Sequence, residues 1–188
     1  MTIQVLADDV ISKIAAGEVI ERPASVVKEL IENAIDAGAT ELKIRIEGAG
    51  KQLIEISDNG IGIAEEELRF AVMRHATSKL RTEDDLFRLG TLGFRGEALA
   101  SAASVSRLSI VSRPEAASVG SCIQVDGAKF VSQQPTAMTQ GTTVRVEDLF
   151  YNVPARLKFL KSDTTERSQI VTLITRYALA YPNIRWEL

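Results

Sequence analysis

Residues 29–37 constrain the fold of this chain more than any other stretch. In an α-helix, at about 100° per residue, Glu29, Asn33 and Asp36 fall within about 60° of one another on one face. The apolar residues between them take the opposite face and need a hydrophobic layer to cover it. The polar stripe is either a solvated helix surface or a set of oxygen ligands suited to a hard cation or a water molecule.

The limits of this helix, and of a hairpin after it, are also marked in the sequence. Pro23 suits the first helical position and Gly38 suits the position just past the end, so we predict a helix over residues 24–37. Apolar residues alternate over 42–47 and 53–58 with glycines between the two runs, which predicts a β-hairpin.

The rest of the chain continues this mixture of strands and helices. Strand-like runs occur at residues 107–112, 121–125, 129–132 and 142–146. Helical patterns occur at 10–17 (ending at Gly17), 65–73, 93–104, 155–160 and 165–181, and a long loop is expected at 75–92. Because strands follow one another instead of alternating regularly with helices, we predict the α+β class, with a mixed or antiparallel sheet and helices on one face.

Composition excludes several classes of protein. The 188 residues suffice for one sizeable core, and a net charge of −3 gives no global basic field for nucleic acid. Cys122 is the only cysteine and His75 the only histidine, which excludes an intramolecular disulfide and argues against a zinc site. Without a signal-like N-terminus or a long apolar run, we expect a cytoplasmic setting and no membrane contact.

Two glycine motifs fail as nucleotide loops of the common kinds. The segment before Lys51 lacks the first glycine of the phosphate-loop pattern, because position 45 is Arg, and no hydroxyl residue follows the lysine. The pair Gly60 and Gly62 does not extend to the dinucleotide fingerprint, because position 65 is Glu.

The segment from Asp58 to Ile63 nevertheless has features of a binding site. It follows an apolar strand, and glycines at 60 and 62 allow a flat ligand to approach the backbone closely. The Asp58 carboxylate can accept from an exocyclic amine. The same Asp-Asn-Gly sequence is also common in plain turns.

Residues 90–99 are rich in glycine and run directly into a helical pattern. Exposed amides at a helix start bind anions, so phosphates are the natural ligands, although a mobile connector would have the same composition. Residues 75–79 would form a lid with hydroxyl and ammonium donors. By pattern, residues 141–144 are a turn that enters a strand.

In chain order, these motifs resemble the four-motif ATP site of the GHKL superfamily, which covers gyrase B, Hsp90, histidine kinases and MutL. Residues 14–30, 93–99 and 150–156 are similar to MutL-type mismatch repair proteins in particular. The resemblance implies a two-layer α/β sandwich of the Bergerat type. It also implies that residues 1–188 are one ATP-binding domain that stops before the second domain of the family.

The resemblance implies a role for individual residues. Glu29 would be the general base, Asn33 would ligate Mg²⁺, and Asp58 would accept from the adenine 6-amino group, with Thr143 holding Asp58 and a water. The other nucleotide-binding positions implied are Ala37, Gly60, Gly62, Ile63, Thr77, Ser78, Lys79, Leu92, Gly93, Phe94, Arg95, Gly96, Glu97, Ala98 and Leu99.

The resemblance also implies partners. ATP binding would order the lid and close a homodimer, with a lysine from the second domain reaching the γ-phosphate. Residues 1–188 alone would therefore bind ATP but hydrolyse it poorly. The full-length protein would meet a MutS-type mismatch recognition protein, a downstream repair nuclease or helicase, and DNA. Two alternatives remain open: a nucleotide-binding switch module without turnover of its own, and another GHKL ATPase such as a type II topoisomerase subunit.

Overall fold

The computed structural model describes residues 4, 8–74, 76, 92 and 97–188. The helices of these residues are α1 (Asp8–Val19), α2 (Pro23–Asp36), α3 (Leu68–Ala71), α4 (Ala98–Ser104), α5 (Pro154–Phe159) and α6 (Asp163–Ala180). The strands are β1 (Glu41–Glu47), β2 (Leu53–Asp58), β3 (Arg107–Arg113), β4 (Gly120–Asp126), β5 (Lys129–Thr136), β6 (Gly141–Glu147) and β7 (Arg185–Glu187).

These strands form one sheet in the order β5-β4-β3-β6-β2-β1-β7. Neighbouring strands are antiparallel, except that β1 and β7 run parallel. The predicted hairpin is β1 and β2, with Leu42 opposite Asp58. The mixed, mostly antiparallel sheet confirms the predicted α+β class.

The sheet has one apolar face and one polar face. Ile44, Ile56, Val144 and Ile110 are successive partners across β1, β2, β6 and β3, and all four are buried. Charged and polar residues alternate with them and point to the opposite face. Buried residues of α2, α4 and α6 join the apolar face in one core, so the molecule has two layers with its helices on one side.

Helix α2 ends as the sequence predicts. Gly38 has φ +73°, and its amide donates to the carbonyl of Ile35 at 2.9 Å. The amide of Ala39 donates to the carbonyl of Ala34 at 3.1 Å, which completes a Schellman motif. The helix therefore stops at a defined residue, and the chain turns at once toward the first strand of the sheet.

The predicted end of α1 at Gly17 is wrong. The helix continues to Val19, and the Arg156 guanidinium donates to the carbonyl oxygens of Gly17 at 2.7 Å and Ile20 at 3.0 Å. A Cβ at position 17 would overlap this guanidinium. The glycine therefore makes room for an arginine that caps the helix, and it does not end the helix itself.

Two other helices differ from expectation. The helix expected over 65–73 is the single turn α3, flanked by turns. Of the helix expected over 93–104, α4 accounts for the part from Ala98, and residues 93–96 lie outside the described residues. Within the described part of the chain, none of the helices has the length and apolar character required to cross a membrane.

Candidate functional site

The polar face of α2 lies where the sequence predicts it. Glu29, Asn33 and Asp36 are half-buried, whereas the opposite face of the helix enters the core. The Glu29 side chain is 29% exposed, and its Oε1 lies 3.4 Å from the Lys28 ammonium. The carboxylate of Asp36 accepts from the amide of Leu92 at 3.0 Å, so α2 contacts the chain just before the glycine-rich segment.

The C-terminus of α2 is joined to the end of β2. The amide of Ile61 donates to the carbonyl of Ala37 at 3.0 Å. The side-chain oxygen of Asn59 accepts from the amides of Thr40 and Glu41 at 2.8 and 2.9 Å. These bonds hold the loop after β2 against the helix that carries Glu29.

Gly60 is required at this junction. A Cβ there would lie 2.7 Å from the Ala37 carbonyl oxygen, closer than such atoms approach, and in tight contact with Oδ1 of Asp58 at 3.0 Å. Gly62 has φ +75°, and a side chain there would meet the backbone of Arg113. Both positions therefore need glycine for close backbone packing, and their predicted place in the wall of a base pocket stays a prediction.

Asp58 ends β2 in a protected position. Its Oδ1 accepts from the amide of Gly60 at 2.8 Å, and the amide of Thr142 also donates to this carboxylate. Burial raises the pKa of Asp58 from 3.8 to about 6, against the lowering effect of these two amides. At neutral pH the group is mainly an ionised acceptor that is partly withdrawn from water.

The structure does not bring Thr143 to Asp58. Thr143 lies opposite Ser57 in the register of β2 and β6, and its hydroxyl donates to the Ser57 hydroxyl at 2.9 Å. Successive side chains of a strand point to opposite faces, so Thr143 faces away from the helices. Thr142 lies opposite Asp58 on the helix side and is buried.

Ser112 completes a network that sequence reasoning missed. Its hydroxyl accepts from the amide of Ile63 at 2.7 Å, donates to the carbonyl of Gly141 at 3.0 Å, and lies 2.9 Å from the Thr142 hydroxyl. Hydroxyls at 112 and 142 carry no motif of their own. Only the register of β2, β6 and β3 would have placed them beside Asp58.

Of the glycine-rich residues 90–99, predicted to bind phosphate, the structure describes only Leu92 and residues 97–99. Glu97 precedes α4, and Ala98 and Leu99 lie in its first turn, all half-buried. The other residues predicted for this segment and for the lid lie outside the described residues: Thr77, Ser78, Lys79, Gly93, Phe94, Arg95 and Gly96.

Comparison with known proteins decides the family. Residues 20–163 match the family model of the histidine kinase-, DNA gyrase B-, and HSP90-like ATPases. The chain belongs to this ATPase family.

Relatives of this chain include DNA mismatch repair proteins named MutL. The DNA mismatch repair protein MutL of Acidobacterium capsulatum is 51% identical over 186 residues, or 99% of this chain and 28% of that protein. MutL of Azorhizobium caulinodans is 54% identical over 188 residues, which cover this whole chain and 30% of that protein. The chain therefore spans less than a third of these relatives.

Solved structures of the family have the same fold. The Aquifex aeolicus MutL ATPase domain complexed with ADP aligns with a TM-score of 0.75 at 37% identity, covering 89% of this chain and 59% of that one. The N-terminal domain of a DNA repair protein aligns at 0.79 with 32% identity, covering 94% and 50%. The predicted resemblance to GHKL ATPases and to MutL is confirmed.

Proposed function

We propose that this chain is the ATP-binding and ATP-hydrolysing domain of a MutL-type mismatch repair protein. The observation that carries the proposal is the junction of α2 with β2. It places the half-buried acceptor Asp58 beside the end of the helix that bears Glu29 and Asn33. Membership of the ATPase family and the MutL relatives support the same function.

Asp58 recognises adenine in this proposal. An ionised carboxylate accepts from the 6-amino group, and its bond to the Gly60 amide keeps it in position. Guanine has a carbonyl oxygen at the corresponding place, so two acceptors would face each other and guanine nucleotides are rejected. Gly60, Gly62 and Ile63 form the loop beside the base.

Glu29 activates water for attack on the γ-phosphate. Its carboxylate takes the proton as the water oxygen bonds to phosphorus, and ADP leaves with the electrons of the broken bond. The side chain is partly exposed, so a water can reach it. The segment from Leu92 to Leu99 would bind the phosphates, and Thr77, Ser78 and Lys79 would belong to the lid.

The residues present fit a magnesium ion held mainly by its substrate. Among the described residues, no group of three or more His, Cys, Asp or Glu could form a protein cage for a metal. Asn33 offers a carboxamide oxygen on the polar face of α2, and Mg²⁺ commonly takes one such ligand together with phosphate oxygens and waters. The ion would neutralise charge on the triphosphate.

The whole protein would couple this site to repair. ATP binding would order the lid and close a homodimer through the N-terminal region, with a second domain supplying a lysine to the γ-phosphate. The closed form would transmit mismatch recognition by a MutS-type protein to a nuclease or helicase on DNA. This is an order–disorder switch driven by nucleotide.

Calorimetric titration tests the proposal. The chain is titrated with a non-hydrolysable ATP analogue and with its GTP counterpart, with and without Mg²⁺. We expect adenine-selective binding that Mg²⁺ strengthens, and loss of this selectivity in Asp58→Ala. Equal affinity for the two nucleotides would contradict the pocket. Binding without turnover in a protein that includes the second domain, measured with radiolabelled ATP, would instead favour a switch module.

A further inference from the structure

Three residues of α2 and α6 form a polar cluster that the proposed function does not use. Glu32 of α2 carries a charge, yet it is buried, with 6% of its surface exposed. Its Oε1 accepts from the Tyr177 hydroxyl at 2.6 Å, and its Oε2 lies 2.7 Å from the Lys28 ammonium. Both carboxylate oxygens are therefore engaged, one by each helix.

This arrangement fixes the position of the Lys28 ammonium. A lysine has four rotatable bonds and is normally mobile at a surface. Here it is held by a short ion pair to a carboxylate that Tyr177 anchors from the neighbouring helix. From that position its ammonium also lies 3.4 Å from Oε1 of Glu29.

We propose that Lys28 is a positioning residue for Glu29, held in place by Glu32 and Tyr177. The ammonium binds Oε1 of Glu29 and fixes the rotation of the carboxylate, which leaves Oε2 to take the proton of the attacking water. The inference rests on the proposed role of Glu29 as general base. General bases act only within hydrogen-bond reach of the proton, so a fixed carboxylate raises the rate.

The protonation states agree with this geometry. Burial lowers the pKa of Lys28, but the hydrogen bond from Lys28 to Glu32 and the charges of Glu29 and Glu32 raise it overall. Burial, followed by the hydrogen bond to Glu32, raises the pKa of the Tyr177 phenol. Lys28 therefore remains a cation and Tyr177 remains a donor at neutral pH.

A lysine that only stabilises the fold would have the same contacts as one that positions Glu29. The two roles of Lys28 differ in what a substitution changes. Removing a stabilising pair lowers the melting temperature and leaves the chemical step alone. Removing a positioning residue also lowers kcat while nucleotide affinity stays nearly unchanged, even though the loss of the ion pair to buried Glu32 lowers the melting temperature in either case. The separation of kcat from affinity is therefore the decisive readout.

The experiment measures single-turnover hydrolysis of radiolabelled ATP, nucleotide affinity and melting temperature in matched variants. Lys28→Gln is expected to lower the rate about tenfold, with affinity within about twofold of wild type. Lys28→Arg keeps the charge and restores most of the rate. Tyr177→Phe gives a smaller loss of about threefold, because Glu32 loses one anchor.

Two control variants remove similar groups elsewhere. Lys43→Gln breaks another lysine–glutamate pair, in which the ammonium lies 3.3 Å from Glu41. Tyr181→Phe removes the hydroxyl of the ring stacked on Tyr177 at 6.3 Å. Both are expected to hydrolyse ATP at the wild-type rate. A wild-type rate in Lys28→Gln, or a loss of nucleotide affinity as large as the loss of rate, would overturn the inference.

Two further measurements separate this inference from the proposed function. Glu29→Ala at the wild-type rate would refute the general base itself, whereas an inactive Glu29→Ala beside a fully active Lys28→Gln would refute only the positioning role. If the wild-type chain has no turnover, the ¹³C resonance of the Glu29 carboxyl carbon is measured instead. It is assigned by its absence from the spectrum of Glu29→Gln. It shifts in Lys28→Gln if Lys28 binds the carboxylate, and an unchanged resonance overturns the inference.

Discussion

Thr142 lies directly opposite Asp58 in the register of β2 and β6, and its backbone amide donates to the Asp58 carboxylate. The next residue, Thr143, lies on the other face of the sheet and bonds to Ser57. Two adjacent threonines therefore differ completely in their relation to the proposed adenine pocket, and this difference can be tested.

Substitution of the two threonines by valine should have unequal effects. Thr142→Val removes a buried hydroxyl 2.9 Å from that of Ser112, and we expect a loss of about 1 kcal/mol in the free energy of unfolding. We also expect weaker binding of an ATP analogue, because the Thr142 hydroxyl lies on the helix side of the sheet opposite Asp58, bonded to Ser112, and its loss loosens this part of the proposed pocket. Thr143→Val should keep the nucleotide affinity. Titration calorimetry and chemical denaturation measure both effects, and a larger affinity loss in Thr143→Val would contradict the assignment.

The raised pKa of Asp58 predicts a pH dependence of stability. Between pH about 4 and about 6 the folded protein holds a proton that the unfolded chain has released. The stability of the wild type relative to Asp58→Asn should therefore fall as the pH rises through this window. The total change is about 3 kcal/mol, from about 1.4 kcal/mol for each pH unit.

Denaturant unfolding of the wild type and Asp58→Asn at several pH values checks this sign. The asparagine variant does not titrate at this position and serves as the reference. A stability difference that stays constant from pH 4 to pH 7 would show that Asp58 has an ordinary pKa in the folded protein.

Gly60→Ala should abolish adenine-nucleotide binding. The added Cβ would lie 2.7 Å from the Ala37 carbonyl oxygen, which is backbone and cannot move without separating α2 from β2. Gly38→Ala is a matched control, because position 38 has φ +73° but open space around it. We expect the control to lose about 1–2 kcal/mol of stability and to keep its affinity. Calorimetric affinities for an ATP analogue distinguish the two variants.

Arg156→Ala should destabilise α1. Its guanidinium donates to the carbonyls of Gly17 and Ile20, which the end of the helix would otherwise leave without partners. We expect a loss of about 1–3 kcal/mol in the free energy of unfolding. Faster hydrogen exchange confined to the amides of α1 is the measurement, and unchanged exchange there would contradict the capping role.

Local patterns predicted much of the fold, and long-range pairing explains the rest. Alternation predicted the hairpin, and Pro23 and Gly38 predicted the limits of α2 to within one residue. The end of α1 was missed because Arg156 comes from a distant part of the chain. The place of Thr142 could not be known without the register of β6 on β2, since a shift of one residue exchanges the two faces.

A single hydroxyl, that of Ser112, joins the loop after β2, the start of β6 and its own strand. Changes at positions that meet at one oxygen cannot act independently. Ser112→Ala and Thr142→Val both remove the contact between the two hydroxyls at 2.9 Å, so the double variant should lose less stability than the two single losses added together. Positions 112 and 142, which are 30 residues apart in the chain, would then tolerate substitution together more readily than one at a time.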